Sequence, residues 1–174
     1  MTFFLEVSSA CVAKPSGIYR YIRQLSRALI QQAGISRFEF VIRSSKSRKK
    51  QHLPYWMQPR IRTYEGLFHP LGRNHLLHGM DMKLPWVPGI PSVVSAMDVA
   101  PFRLEQHQLS SSRFLKKKKK DYQKAFRRAD LILSISQTTA KDLSDLFDVD
   151  EKKIRVVHLG VQPEFRPTCW DRYR

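Results

Sequence analysis

The chain is poor in cysteine, poor in acid, and has no long apolar run. Cys11 and Cys169 lie near opposite ends of 174 residues, with no Cys-x-x-Cys and no Cys/His cluster around them. That argues against a disulfide scaffold and a zinc site and fits a reducing, cytoplasmic setting. His69, His75 and His78 add no metal-ligand pattern, because three residues along a strand turn His75 and His78 to opposite faces. No apolar stretch approaches the roughly 18 residues of a bilayer span. The N-terminal MTFFLEVSS has no basic lead and carries Glu6 in its apolar run, so it reads as a first strand and not a signal peptide. No G-x-x-x-x-G-K-[ST] occurs, which removes a P-loop phosphotransferase. Acid is the strongest deficit: 15 Asp and Glu face 31 Lys and Arg, for a net charge of +16. Such a surface draws polyanions, whether nucleic acid, anionic headgroups or phosphorylated small molecules. The 42% hydrophobic content is that of a globular protein, and the length suits one domain with a sizeable core.

The organisation is clearest from Ala129 to Val161. Leu131, Ile132, Leu133 and Ile135 form an apolar run too short for a helix and suited to a strand buried on both faces. Ser136 stands where an N-cap belongs. Ala140, Leu143, Leu146 and Phe147 then recur at helical spacing, so a helix runs to about Asp148. Ile154–Leu159 reads as the next strand, closed by Gly160, a residue free to take positive φ. Upstream, Phe3–Val7 is a strand and Ile18, Ile22, Leu25 and Leu29 mark one face of a helix that stops at Gly34. Phe38–Ile42, Arg60–Tyr64, Asn74–His78 and Val93–Met97 are further strands. Arg43–Gln51 reads as a basic loop, and HLPYWMQP as a loop laying its aromatics on the sheet.

Leu104–Arg128 reads as a helix whose last sixteen residues carry nine basic groups against one acid, Asp121. Five consecutive lysines point all round a helix, so Lys118 or Lys119 must lie over the apolar stripe and send its ammonium out to water. A solvated face is the ordinary meaning of such a run. The functional reading is an anionic membrane, attracted at about 1 kcal/mol per basic residue. Its contacts would be Arg113, Lys116, Lys117, Lys118, Lys119, Lys120, Lys124, Arg127 and Arg128.

Four stretches carry a resemblance. ADLILSISQTTAKDL with FDVDEKKIRVVHLGV is similar to the closing part of the N-terminal domain of GT-B glycosyltransferases of the retaining group called group 1 or family 4. LLHGMD and SAMDVAPFR resemble two strand ends of that domain, and VQPEFRP resembles the run into its linker. Met97 stands where the family usually has His, and Leu159 where it has Asn. The resemblance implies a Rossmann-like open α/β domain over residues 1–163, with a mostly parallel sheet and helices on both faces. Residues 164–174 then begin a linker or tail, and the C-terminal donor-binding domain is absent from this chain.

It also implies an activity: transfer from a nucleotide sugar to a polysaccharide or lipid-linked glycan, carried out with a C-terminal GT-B domain or partner chain. This domain alone would hold no cofactor and would not turn over, and its location would be cytoplasmic, peripheral on the inner membrane face. Gly17 would approach the donor diphosphate, unless it is an ordinary helix entry capped by Ser16. His78, Gly79, Asp98, Ser136 and Thr139 would face the acceptor, with Asp98 and His78 the candidates for catalysis. Each has a plainer alternative: a hydrogen-bonded strand-end histidine for His78, turn N–H groups for Asp98, and helix capping for Ser136. The competing reading is a basic non-catalytic α/β domain that binds nucleic acid or anionic membrane. Nucleic acid is disfavoured, because no aromatics are interleaved with the lysine run as a stacking platform requires.

Overall fold

A computed structural model describes residues 1–65, 74–104 and 113–161. The described residues build seven strands: β1 (Thr2–Glu6), β2 (Phe38–Arg43), β3 (Ile61–Tyr64), β4 (His75–Gly79), β5 (Ser92–Ala96), β6 (Leu131–Ser134) and β7 (Ile154–Val156). They form one sheet in the order β3-β2-β1-β4-β5-β6-β7, and every pairing is parallel. Apolar residues on both sides of β1 and β2 follow from this arrangement, since a parallel sheet is covered on both faces. The α-helices among the described residues are α1 (Gly17–Ala33), α2 (Ala100–Leu104), α3 (Arg113–Arg128) and α4 (Gln137–Phe147). The chain is an open, Rossmann-like α/β fold.

Alternate strand residues feed opposite cores. On one face Leu5, Phe40 and Ile42 pack beneath Ile22 of α1, with Ile18, Leu25 and Leu29 around it. On the other, Val94, Ala96 and Ile132 lie under Phe126 of α3 and Leu143 and Phe147 of α4. Phe147 meets Phe102 and Phe126 edge-to-face, both at 5.3 Å, geometry that adds about 0.5–1.5 kcal/mol per ring pair beyond area burial. Arg103 of α2 forms ion pairs with Asp142 and Asp145 of α4, which ties the short helix down.

Several elements differ from the sequence expectation. Ser44–His52 is not a loop but a 3-10 helix, and Tyr55–Arg60 is another. Neither has an apolar period to announce it. Leu53 and Met57 are nevertheless buried beside β2, and Trp56 meets Phe40 edge-on at 5.8 Å. Of the helix expected over Leu104–Arg128, the described part is α3, Arg113–Arg128, while Leu104 itself closes α2 and residues 105–112 lie outside the described residues. β7 stops at Val156, and Gly160 does not take positive φ; Gly34 and Gly89 do. The left-handed residue ending α4 is Asp148 (φ 54°). Pro163, the expected linker at 164–174 and Cys169 lie outside the described residues.

Candidate active site

Because all strands run the same way, their carboxyl ends share one edge. β1 and β4 are neighbours there, while the chain leaves β1 towards β2 and leaves β4 towards β5. This reversal opens a crevice at the carboxyl ends, where ligands of open α/β sheets bind. Ser9 reaches it from the segment after β1, and Asp81 and Lys83 from the turn after β4. Lys83 Nζ donates to Ser9 Oγ at 2.7 Å and to Asp81 Oδ2 at 3.2 Å, and Ser9 Oγ donates to the same carboxylate oxygen. Asp81 is buried, while the Lys83 side chain stays about one-third exposed. The trio therefore offers an incoming hydroxyl an acceptor, a cation and a hydroxyl within one patch.

The turn holding Asp81 and Lys83 is tightly fixed. A Cβ at Gly79 would stand 2.0 Å from the Lys83 carbonyl oxygen, so only glycine lets the turn fold back on the strand. Met82 is forced to φ 46°, a left-handed value that costs a non-glycine residue about 1–3 kcal/mol. It is held by its buried side chain and by its N–H donating to Ser95 O at 2.9 Å.

Beneath the crevice lies a buried acid. Glu6, the last residue of β1, has no exposed surface. Tyr64 OH donates to its Oε1 at 3.1 Å and receives the Arg43 Nε–H at 3.2 Å. Burial raises the Glu6 carboxyl above its ordinary value, while the Ser8 hydroxyl, the Lys83 and Arg43 charges and Tyr64 pull it back. Burial likewise raises the Tyr64 phenol, with the Glu6 charge acting in the same sense.

The residues singled out from sequence fall along this edge in different roles. His78 is buried, its Nε2 2.8 Å from Ser95 Oγ, which lies 2.8 Å from Tyr21 OH. Burial lowers the imidazole to about 4, so it is neutral at physiological pH. Gly79 serves the turn described above. Asp98 is exposed and accepts from Ala100 N at 2.7 Å, capping the entry to α2. Met97 is buried in the core between sheet and helices, an apolar filler in place of a ligand-facing group. Ser136 caps α4, accepting from Thr139 N at 3.1 Å and donating to Thr139 Oγ1 at 3.0 Å. Gly17 begins α1 behind the cap Ser16, which accepts from Tyr19 N at 3.2 Å; a Cβ there would meet nothing within 4 Å. Ser9, Asp81 and Lys83 escaped the sequence reading. The signal that finds them is simple: they are the polar residues just after the two strands at the reversal.

At 100° per residue seven of the nine basic residues of α3 share an outward arc of about 120°. Lys118 and Lys119 lie at the margin of the buried stripe, half-buried, with Lys118 Nζ 5.4 Å from the centre of the Tyr122 ring and Lys119 Nζ 5.9 Å from that of Phe147. Lys116, Lys120 and Arg127 point away from the core, and Lys117, Lys124 and Arg128 line the side towards β3, with Arg113 between these two rows at the helix start. Phe114, next to Arg113 in the chain, is exposed. Among the described residues no helix is long and apolar enough to cross a membrane, and no group of three or more His, Cys, Asp or Glu is placed to hold a metal ion.

The profile of the family described as Glycosyltransferase Family 4 matches residues 15–165, most of the chain. The chain belongs to that family. No curated protein gives a match. The matched span includes α1 from its N-cap, the whole sheet after β1, and the turn bearing Asp81 and Lys83. Membership makes this glycosyltransferase-like domain a place to look for sugar chemistry.

Proposed function

We propose that the chain is the acceptor-side, N-terminal GT-B half of a retaining glycosyltransferase that uses a nucleotide sugar and works on a glycan or lipid-linked glycan at a membrane surface. The observation supporting this most directly is the Ser9, Asp81 and Lys83 patch at the β1/β4 reversal of a family member. Glycosyl transfer breaks the bond from the anomeric carbon to the leaving diphosphate and makes one to an acceptor oxygen, whose proton must depart. An acceptor hydroxyl seated on the patch can donate to Asp81 and accept from Lys83, which fixes its oxygen in place; such positioning is a large part of the barrier in a two-substrate reaction. Neutral His78 and Ser95 brace the strand behind it. The nucleotide sugar is held by a second domain facing this edge, so this domain by itself does not turn over. Lys116, Lys120, Arg127 and Phe114 rest on anionic lipid, with the basic row at the headgroups and the aromatic ring at the interface.

The test combines the chain with the polypeptide carrying the donor-binding half, labelled nucleotide sugars and membrane extract. Label should pass to an acceptor, and Asp81→Asn should lower kcat/KM by about 10- to 100-fold. Absence of transfer from every common nucleotide sugar overturns the enzymatic reading. For the membrane, co-sedimentation should occur with anionic and not zwitterionic vesicles and should weaken with salt; equal binding to both refutes it. Buried Met97 favours a second reading, a family member that binds saccharide without transferring it, and in that case the acceptor binds but no label moves.

A further inference from the structure

Next to the crevice, and sharing Lys83 with it, a groove of about 490 Å³ lies between α3 and the side of the sheet ending in β3. Lys117, Lys124 and Arg128 form its helical wall, with Arg43, Lys83 and Trp86 opposite. Five cations meet there, and two acids, Glu65 and Asp121, also line it. Lys83 is engaged by Asp81 and Arg43 by Tyr64. The side chains of Lys117, Lys124 and Arg128 have no ion pair among the described residues, unlike Arg62 and Arg103, whose exposed guanidinium groups are paired with carboxylates. Their positions at i, i+7 and i+11 put three like charges along one helix edge, an arrangement whose self-repulsion a bound anion relieves. The walls are close enough for the Asp121 carboxylate to act on the Arg43 guanidinium across the groove. Trp86 is 51% exposed at the rim and presents a broad apolar surface beside the charges.

We infer that this groove binds a phosphorylated saccharide, with the phosphate on Lys117, Lys124 and Arg128 and the apolar face of the sugar ring against Trp86. The volume suits such a ligand, since small-molecule sites span about 300–1,000 Å³. Arg128 can hold two phosphate oxygens at once, and the lysines serve as point charges. The inference goes beyond the glycosyl-transfer reading and does not depend on it: Lys83 borders both sites, but the phosphate is placed on Lys117, Lys124 and Arg128, which the transfer patch does not use, so either can fail alone.

The experiment is calorimetric titration of the full chain with glucose 1-phosphate, inorganic phosphate and glucose, backed by circular dichroism on each variant. Glucose 1-phosphate should bind more tightly than inorganic phosphate, and glucose should not bind. Lys117→Gln with Lys124→Gln should weaken glucose 1-phosphate at least tenfold, whereas Arg23→Gln with Arg27→Gln, which removes the same charge from α1, should change it less than twofold. Trp86→Ala should weaken glucose 1-phosphate and leave inorganic phosphate unchanged. Equal losses in the two double variants would reduce the effect to net charge and overturn the proposal. Absence of glucose 1-phosphate binding overturns it too, and so does binding confined to vesicles containing phosphatidic acid, which would assign the groove to lipid headgroups.

Discussion

Lowering the pH should destabilise this protein through His78. The imidazole is buried with Ser95 as its hydrogen-bond partner, and burial takes its pKa from 6.5 to about 4. Above pH 6.5 neither the folded nor the unfolded chain carries the proton. Between 6.5 and about 4 the unfolded chain takes it up and the folded one does not, so stability falls as pH drops; below that window both are protonated and the loss is complete. At about 1.4 kcal/mol per pKa unit the full loss is roughly 3 kcal/mol, of which about 2 kcal/mol should be gone by about pH 5. That is a large share of the roughly 5–15 kcal/mol that a domain has. Glu6 acts in the opposite sense: its raised folded pKa makes the fold take up a proton first as acid is added. Urea unfolding of the wild type alone would mix the two. His78→Gln keeps a side-chain amide within reach of Ser95 and cannot titrate, so the measurement is the difference between the two stability-versus-pH curves. The wild type should lose about 2 kcal/mol more than the variant between about pH 7.5 and 5. Parallel curves would mean that His78 titrates alike in the folded and unfolded chain, and the buried, neutral assignment would be refuted.

Gly79→Ala should cost about 1–3 kcal/mol in urea unfolding, because the new methyl group meets the backbone oxygen of Lys83 and no flexible side chain can yield; an unchanged midpoint would show that the turn after β4 is not fixed. Ser136→Ala should cost about 1 kcal/mol by removing the cap of α4; a wild-type midpoint would mean that the first turn finds another acceptor. The Cys11 thiol is buried and pushed up to about 11. Peptide mapping after iodoacetamide at about pH 8 should find it unmodified in the folded protein and modified in urea, since only the thiolate attacks; equal labelling in both states refutes its burial.

What was legible in the sequence was local. Ser136, the stripe from Ala140 to Phe147 and the apolar run before them lie within one β-α-β unit, where each feature sits a few residues from the one that explains it. The lysine run was legible as a steric problem, and Lys118 and Lys119 lie at the buried margin as the helix geometry requires. The candidate site was not legible. Ser9 and Asp81 are 72 residues apart and no spacing rule joins them; only the pairing of β1 with β4 does. The 3-10 segments stayed hidden because three residues per turn over so short a stretch leaves no apolar period to count.

The order of the strands also bears on how the molecule is assembled. The core under α1 is built entirely from residues no later than Met80, and the buried residues of the core under α3 and α4 all come from Met82 onward. As the chain emerges during synthesis, β1, α1 and β2 can close a first hydrophobic unit while one side of β1 still lacks its neighbour. That open side is filled only when β4 arrives, and the crevice with its Ser9, Asp81 and Lys83 patch comes into being at the same step. Long-range parallel pairing of this kind is slow. Until it is complete, the nascent chain exposes the unpaired edge of a central strand, a template for association with other chains. Capture of that intermediate by chaperones, and aggregation of chains truncated before β4, are the expected cost of placing the first strand in the middle of the sheet.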